Sequence, residues 1–478
     1  MESKEKRKIG DRPRILFVKP PTDVRPAIID VPLGPLYLSS FLKKYCRLPV
    51  VTDLVDLRLC RRPDRESALA GRIRIFSPHI IGISLLTANR GFLDHYLPVM
   101  RRHAPGALIV VGGPHATYHY SDLLARHKDI DCAVIGEGER AFLNLVEAMA
   151  DGRDISCVRG VAYRKDGEVA CNEREPYIED LDSIPFPDYG IIDIAGYWGS
   201  HPEMNGVLAE KTYTHVISSR ACPYRCIYCH DIFGKKVRKR SVDNFVAEIA
   251  MLYNRYGVRE FHIVDDIFNI DRKRMYAILD AIMASGMNIK IAFPNGVRGD
   301  LLTRDDILML KRAGAYMITV AIETASRRMQ KIIRKNLDIE KVMENIGHAA
   351  DLGLIVKGYF MIGFPGETVR EMKETIALAV RSRLDLAHFF TVIPFEGTEL
   401  ARLASDTYPG IMSEVATHYL PEKPFYQEAT GYNLNRLQKF AYFRFYTPVR
   451  ILRTFYKIPR KMHRIRRWAS FAIDVLRA

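Results

Sequence analysis

Over the first 150 residues the chain alternates short β-runs, most of them continuously apolar, with helix-length stretches whose apolar positions recur every three or four residues. The short runs are Arg14–Val18, Val50–Asp56, Ile80–Leu85, Ala107–Val111 and Cys132–Ile135. Leu36–Lys44 and Arg140–Met149 carry helical spacing, and helix-length segments separate the other runs. Strands that are apolar at nearly every position are buried on both faces. Alternating with helices, they predict an α/β fold with a parallel, doubly wound (Rossmann-like) sheet over residues 1–151. Ligands of such sheets sit at the carboxyl ends of the strands. Those ends here are Lys19-Pro20-Pro21, Leu85-Leu86-Thr87, Gly112-Gly113-Pro114-His115 and Gly136-Glu137-Gly138-Glu139. Glycines at two of them let a ligand approach the backbone closely.

Residues 152–206 read as a connector. Arg164-Lys165-Asp166-Gly167 predicts a hairpin turn, and the prolines of Asp182–Asp188 forbid a helix and predict an extended interdomain strap. A second alternation fills residues 207–403. Its strand candidates are His215–Ser218, Glu260–Val264, Ile289–Ala292, Met317–Ala321, Val356–Ile362 and Ala387–Ile393. Helical stretches lie between them at Val242–Tyr256, Arg272–Ser285, Arg304–Ala313, Ile339–Leu352 and Val369–Ser382. Six βα repeats in series predict a partial (β/α)6 barrel with its chemistry at the carboxyl ends of the strands. Residues 404–478 read as a helical cap rich in Tyr, Phe and Arg.

A chain of 478 residues calls for two or three domains. No apolar run reaches the length of a membrane helix, and the charged opening MESKEKRKIG lacks the apolar core of a signal peptide, so the expected compartment is the cytoplasm. The net charge is +15, and from Lys439 to Ala478 eleven Lys/Arg face one acidic residue, Asp474. The simplest account of that basic tail is a solvated helix face. The sharper one is a lid over a large apolar or anionic substrate, or peripheral contact with an anionic membrane. No clear nucleic-acid partner emerges.

Five of the eight cysteines (46, 60, 132, 157 and 171) are scattered, and three fall within eight residues. That distribution argues against a disulfide framework and for one metal site in a reducing compartment. The segment reads Ser219-Arg220-Ala221-Cys222-Pro223-Tyr224-Arg225-Cys226-Ile227-Tyr228-Cys229-His230, with Cys-x3-Cys-x2-Cys spacing directly after the first barrel strand. Thiolates suit zinc or an iron–sulfur cluster. Structural zinc wants four closed ligands, usually in two pairs. His230 adjoins Cys229 and is awkwardly placed for the same ion, which leaves a Cys3His knuckle as the lesser reading. Three thiolates on a cubane leave one iron open to chelate a substrate.

The triplet resembles the signature of the radical S-adenosylmethionine (radical SAM) superfamily, and the barrel segment is similar to it throughout. The resemblance implies a [4Fe–4S] cluster on Cys222, Cys226 and Cys229, with SAM held at the open iron. It implies one-electron cleavage of SAM to a 5′-deoxyadenosyl radical, driven by an external donor of flavodoxin or ferredoxin type. It places Tyr228 near the adenine and suggests further contacts at the strand ends: Asp266 (or Asp265), Arg298, Glu323, Gly363 and Pro394. The glycine-glycine-glutamate form that the family usually carries is absent from Val264-Asp265-Asp266. For Glu367 and Glu396 a helix-capping charge is the simpler account.

No GxGxxG follows the first strand and no P-loop appears, which disfavours a nucleotide domain. Val31–Leu38 (VPLGPLYL), Val110–Thr117 (VVGGPHAT), Val134–Glu139 (VIGEGE) and the strap Leu181–Asp188 instead resemble the cobalamin (B12)-binding radical SAM subfamily, which is class B methyltransferase-like. The resemblance spans about residues 14–400. It implies cobalamin held at Pro20, Leu86, Thr87, Gly112, Gly113, His115, Gly136 and Glu137. The DxHxxG motif is missing: the chain reads Lys19-Pro20-Pro21-Thr22-Asp23-Val24 after the first strand. Cobalamin without that axial histidine is therefore implied, with His115 lining the pocket for the nucleotide tail. The chemistry most commonly implied is methylation of an unactivated carbon through methylcobalamin. The alternative is oxidative cyclisation or rearrangement of the magnesium-protoporphyrin ester cyclase type. The substrate expected is a small or lipid-like molecule.

Overall fold

The structure is a computed structural model that describes residues 11–21, 29–198, 207–407 and 431–459. Thr22-Asp23-Val24, the charged N-terminus and the basic tail from Arg460 onward lie outside the described residues. The chain divides into two compact units, Met1–Pro202 and Glu203–Ala478.

Unit 1 contains β1 (Arg14–Lys19), α1 (Leu33–Tyr45), β2 (Val51–Asp56), α2 (Arg65–Phe76), β3 (Ile80–Ser84), α3 (Phe92–His103), β4 (Leu108–Gly112), α4 (Pro114–Arg126), β5 (Cys132–Val134), α5 (Gly138–Ala150), β6 (Val161–Lys165) and β7 (Glu168–Cys171). The sheet order is β2-β1-β3-β4-β5-β6-β7. The first five strands are parallel, and the central ones are continuous apolar runs; Ile15, Leu16, Phe17 and Val18 are all buried. β6 and β7 pair antiparallel onto β5 through a two-residue turn, with Asp166 and Gly167 both at positive φ. The expected hairpin is thus present, but it closes the sheet of unit 1 rather than belonging to a free connector.

The strap folds back onto unit 1. Ser39 and Lys43 on α1 both bond the Asp188 carboxylate, and Tyr45 donates to the Ser183 carbonyl. Tyr197 donates to Asp56, whose carboxylate also receives the buried Arg58 guanidinium.

Unit 2 contains β8 (Tyr213–Val216), β9 (Ser219–Arg220), β10 (Arg238–Lys239), α6 (Val242–Tyr256), β11 (Glu260–Ile263), α7 (Arg272–Ala284), β12 (Lys290–Val297), α8 (Arg304–Arg312), β13 (Ala315–Glu323), α9 (Arg327–Ile332), α10 (Ile339–Asp351), β14 (Ile355–Ile362), α11 (Val369–Arg381), β15 (Leu386–Thr391), α12 (Glu399–Thr407), α13 (Leu434–Phe445) and α14 (Pro448–Lys457). Six strands form one parallel sheet in the order β15-β14-β13-β12-β11-β8. This is the partial barrel that the six repeats predict. Helix starts are set locally: Ser241, Thr303 and Thr368 each accept a backbone N–H in the first turn, the last two as capping boxes with Asp306 and Glu371.

The aromatic C-terminal segment has a defined task here. β15 is an edge strand, and its free backbone groups are met by α13 and the residue that caps it: Phe389 N–H donates to Tyr442, Ala387 exchanges bonds with Tyr446, and Gln438 donates to the Phe389 carbonyl. A helix that satisfies an edge this way prevents further strand pairing.

Candidate active site

The three cysteines lie on the loop that leaves β8 and β9. That loop is held from below by two consecutive carboxylates at the end of β11. Asp265 is buried and accepts from Ser218 N–H at 2.6 Å, Ser218 Oγ at 2.5 Å and Ser219 Oγ at 2.7 Å. Asp266 accepts from Ala221 N–H at 2.9 Å, and Ala221 itself sits at φ 78°, a left-handed turn that starts the cysteine segment. Burial raises the pKa of both carboxyls. Downstream, Ile227 N–H donates to the Ile333 carbonyl and Leu400 N–H to that of Ile227, which ties the loop to the ends of α9 and α12.

Cys222, Cys226 and Cys229 line one cavity of about 380 Å³, together with Tyr228, Asp266, Arg298, Glu323, Lys335 and Tyr359. A hydrogen bond from Cys229, assisted by the nearby Lys335 ammonium, holds the Cys226 thiol below its ordinary range. The donor set fits a three-thiolate cluster: soft ligands share one chamber, and one is already biased towards thiolate. Among the described residues, no three His, Cys, Asp or Glu side chains converge closely enough to hold a single metal ion. His230 places its Nε2 3.0 Å from the Glu396 carbonyl and packs on Phe395. The ring thus has partners of its own at the rim of the cavity that it shares with the three thiols.

Opposite the thiols, Glu323 ends β13 at φ 67° beside a register shift. Its Oε1 accepts from Tyr228 at 3.1 Å and from Lys335 at 3.3 Å. Burial works against the Lys335 ammonium, yet Glu323 and the two thiols hold its pKa above the ordinary value. Tyr228 packs on Phe364, and burial with the Glu323 charge raises its phenol. Arg298 has partners of its own: it pairs with Asp300 at 3.0 Å, donates to the Asn336 carbonyl and stacks 3.8 Å above the Tyr224 ring. It supports the cysteine loop from beneath instead of offering an unpaired fork.

Gly363 and Pro394 are not among the residues that line this cavity. Gly363 sits at φ 90°, and a Cβ there would come within 2.5 Å of Leu434 on α13. Its N–H and that of Phe364 both donate to Glu367. That carboxylate closes the turn before α11, in line with its reading as a capping charge. Pro394 is buried behind the end of β15. Lys335 and Tyr359 line the cavity but are singled out by no sequence pattern; Asp265, the alternative to Asp266 at the same strand end, lies behind the cavity wall and holds Ser218 and Ser219. Tyr359 donates to the Pro294 carbonyl, and its phenol is raised to about 12 by burial and by Glu323.

In unit 1 the residues assigned to cobalamin gather at the carboxyl ends of β1, β3, β4 and β5. Gly113 is at φ 89° with the Leu85 carbonyl only 2.9 Å from where a Cβ would lie, so only glycine fits. His115 is buried, shares a bond with Thr87 and packs tilted against His119, with ring centroids 4.2 Å apart. Burial, then His119 and Arg90, pushes its pKa down to about 3, so the ring is neutral. Gly136, at φ 77°, donates to Thr117. Glu137 accepts from Ile178 N–H at 2.8 Å, in the segment that leads into the strap. Pro20 is buried and Leu86 is 44% exposed.

A thiol triplet at the carboxyl end of a parallel partial barrel, preceded by a doubly wound sheet with glycines at its ligand-binding edge, defines an iron–sulfur enzyme with a second cofactor domain. Residues 216–379 match the radical SAM superfamily and residues 31–146 the B12 binding domain. The chain is 30% identical over 396 residues to the uncharacterized methyltransferase PH0819 of Pyrococcus horikoshii, covering 81% of this chain and 82% of that one. It is 28% identical over 399 residues to the anaerobic magnesium-protoporphyrin IX monomethyl ester cyclase of Rubrivivax gelatinosus, covering 82% and 70%. Its fold is similar to that of the radical SAM methyltransferase TsrM of Kitasatospora setae, with a TM-score of 0.68, 18% identity and coverage of 82% and 76%. The chain belongs to the cobalamin-binding radical SAM enzymes, whose cofactors are a [4Fe–4S] cluster, SAM and cobalamin.

Proposed function

We propose that this chain methylates an unactivated carbon of a small or lipid-like molecule. The observation that carries the reading is the 30% identity to a named methyltransferase across 81% of the chain, a span that takes in both cofactor domains. When bound, the cluster supplies the electron that cleaves SAM, and cobalamin supplies the methyl carrier. Cys222, Cys226 and Cys229 hold the cluster. Asp266, which opens to the cavity, and the Glu323–Lys335 pair offer charges of both signs to the amino and carboxylate groups of SAM. Tyr228, backed by the buried Phe364, offers an apolar wall. In unit 1, Gly112, Gly113, Gly136, Thr87 and His115 form the corrinoid edge, with no DxHxxG histidine to reach cobalt. The electron is assigned to an external carrier of flavodoxin or ferredoxin type. All eight cysteines are free, which agrees with a reducing cytoplasmic setting.

The test is anaerobic reconstitution with iron, sulfide, hydroxocobalamin and SAM. Methylation forms both 5′-deoxyadenosine and S-adenosylhomocysteine, and the product gains one CH2. The magnesium-protoporphyrin cyclase relative supports a second reading. Steady 5′-deoxyadenosine formation without S-adenosylhomocysteine would favour it and overturn methyl transfer.

A further inference from the structure

Unit 1 carries a second cleft, at the amino ends of its strands and so at the opposite end of the sheet from the corrinoid residues. It has a volume of about 520 Å³ and is lined from the starts of β1, β3 and β4 and the ends of α2 and α3. That volume falls in the range of small-molecule sites, about 300–1,000 Å³. The floor is apolar: Ile73, Leu108 and Met149 are buried beneath it. No Asp or Glu lines the cleft, and its charged and titratable groups are Arg14, Arg74, His79 and His103.

Arg14 is committed to the fold. Its Nε donates to the Phe76 and Ser77 carbonyls at 3.1 and 2.7 Å, which answers the negative end of α2. Arg101 likewise donates to the Pro105 and Ala107 carbonyls in the turn after α3. The other three groups face the cleft. His79 is fixed against β1: its backbone N–H donates to the Arg14 carbonyl at 2.8 Å, and its Nδ1 accepts the Arg14 N–H at 3.1 Å. An accepting Nδ1 sets the neutral tautomer with its proton on Nε2, so that nitrogen is a donor. Burial, then the Arg14 charge, lowers the pKa of the ring and keeps it neutral. The His79 Nε2–H, the exposed Arg74 guanidinium and the half-buried His103 imidazole have no partner among the described residues.

Donors at the rim and carbon beneath select a ligand that is anionic at one end and apolar at the other. The donors stand on α2, at the start of β3 and at the end of α3. Three donor groups on three elements suit the three oxygens of a phosphate monoester better than the two of a carboxylate. The monoester's charge of about −1.5 to −2 at neutral pH suits the surrounding cations. The cleft shares no lining residue with the cysteine cavity. We propose that the amino end of the unit 1 sheet is a binding site for a small organic phosphate with an apolar body, held by Arg74, His79 and His103.

The experiment is isothermal titration calorimetry on the full-length protein loaded with cluster, cobalamin and SAM, without reductant, so that its other anion sites are filled. The probes are phenyl phosphate, benzoate and inorganic phosphate. Phenyl phosphate should bind, and the other two should bind about tenfold or more weakly. Arg74→Glu with His103→Ala should weaken phenyl phosphate about tenfold or more. Neither side chain bonds another element, so the visible spectrum of bound cobalamin should match the parent and report an intact unit 1. Arg74→Glu alone, at an exposed helix position, keeps the test decisive should the double variant lose cobalamin. Absent binding of phenyl phosphate would overturn the proposal, as would benzoate or inorganic phosphate binding as tightly. Undiminished binding by a variant that retains cobalamin would place the ligand elsewhere and overturn it too.

Discussion

Ser218 and Asp265 form a closed pair beneath the cysteine loop, with the serine backbone N–H and hydroxyl donating to opposite oxygens of one buried carboxylate. Because Asp265 is fully enclosed, truncating it orphans donors on both Ser218 and Ser219. Asp265→Ala should destabilise unit 2 by about 2–4 kcal/mol and lower the iron content after reconstitution. Thermal unfolding and iron analysis would check this; full iron loading at unchanged stability would refute it.

Replacing Cys222, Cys226 or Cys229 singly with Ala should abolish 5′-deoxyadenosine formation. Cobalamin binding, measured by its visible spectrum, should persist because its residues lie in unit 1. Loss of both would mean that the substitution unfolds more than the loop.

Glu367 and Glu371 lie four residues apart and titrate in opposite directions. Burial lifts Glu367 to about 7 against an ordinary value of 4.5. Its folded pKa exceeds its unfolded one, so its contribution is complete below pH 4.5 and is lost as pH rises through 7. Arg328 draws Glu371 down to about 2, with burial opposing and Ser326 and Thr368 assisting. That contribution is present above pH 4.5 and is lost as pH falls towards 2. Denaturant unfolding should therefore show Glu367→Gln gaining on the parent between pH 5 and pH 8. Glu371→Gln should cost on the order of 1–2 kcal/mol at pH 7, after discount for partial exposure, and less in acid. Parallel pH profiles for the two variants would contradict the assignment.

Gly363→Ala places a Cβ at positive φ and against Leu434. A cost of about 1–2 kcal/mol is expected, felt first where α13 seats on the barrel. Amide exchange in α13 should accelerate before that in β14.

His115→Gln should leave corrinoid binding largely intact. The electron paramagnetic resonance spectrum of the bound cob(II)alamin should show no histidine nitrogen coupling in either protein. Nitrogen coupling present in the parent and absent from the variant would make His115 an axial ligand.

Much of both units can be read from hydropathy, because buried parallel strands are apolar at nearly every position and the repeats keep one period. The limits of that reading have local causes. The pattern runs the first barrel strand to Ser218, whereas β8 stops at Val216 and its serines turn to Asp265. It ends the third strand at Ala292, whereas β12 continues to Val297 through polar residues that serve the cavity. The cysteines announce themselves by spacing. Lys335 does not, because it enters the cavity only through a turn that puts Arg334 and Asn336 at positive φ, over a hundred residues downstream. Arg298 is visible as a cation near a strand end, but its commitment to Asp300 depends on the shape of the turn between them.

The hairpin β6–β7 bears on where unit 1 can be cut. A fragment ending at Asp151 would strip the antiparallel partner from β5 and leave an apolar parallel sheet with a bare edge, an invitation to intermolecular strand pairing. A fragment carried through Trp198 would keep that edge covered and retain Asp188 and Tyr197 on their partners Ser39 and Asp56. The compact unit Met1–Pro202 thus includes the strap, whose bonds to α1 and β2 tie it to the sheet.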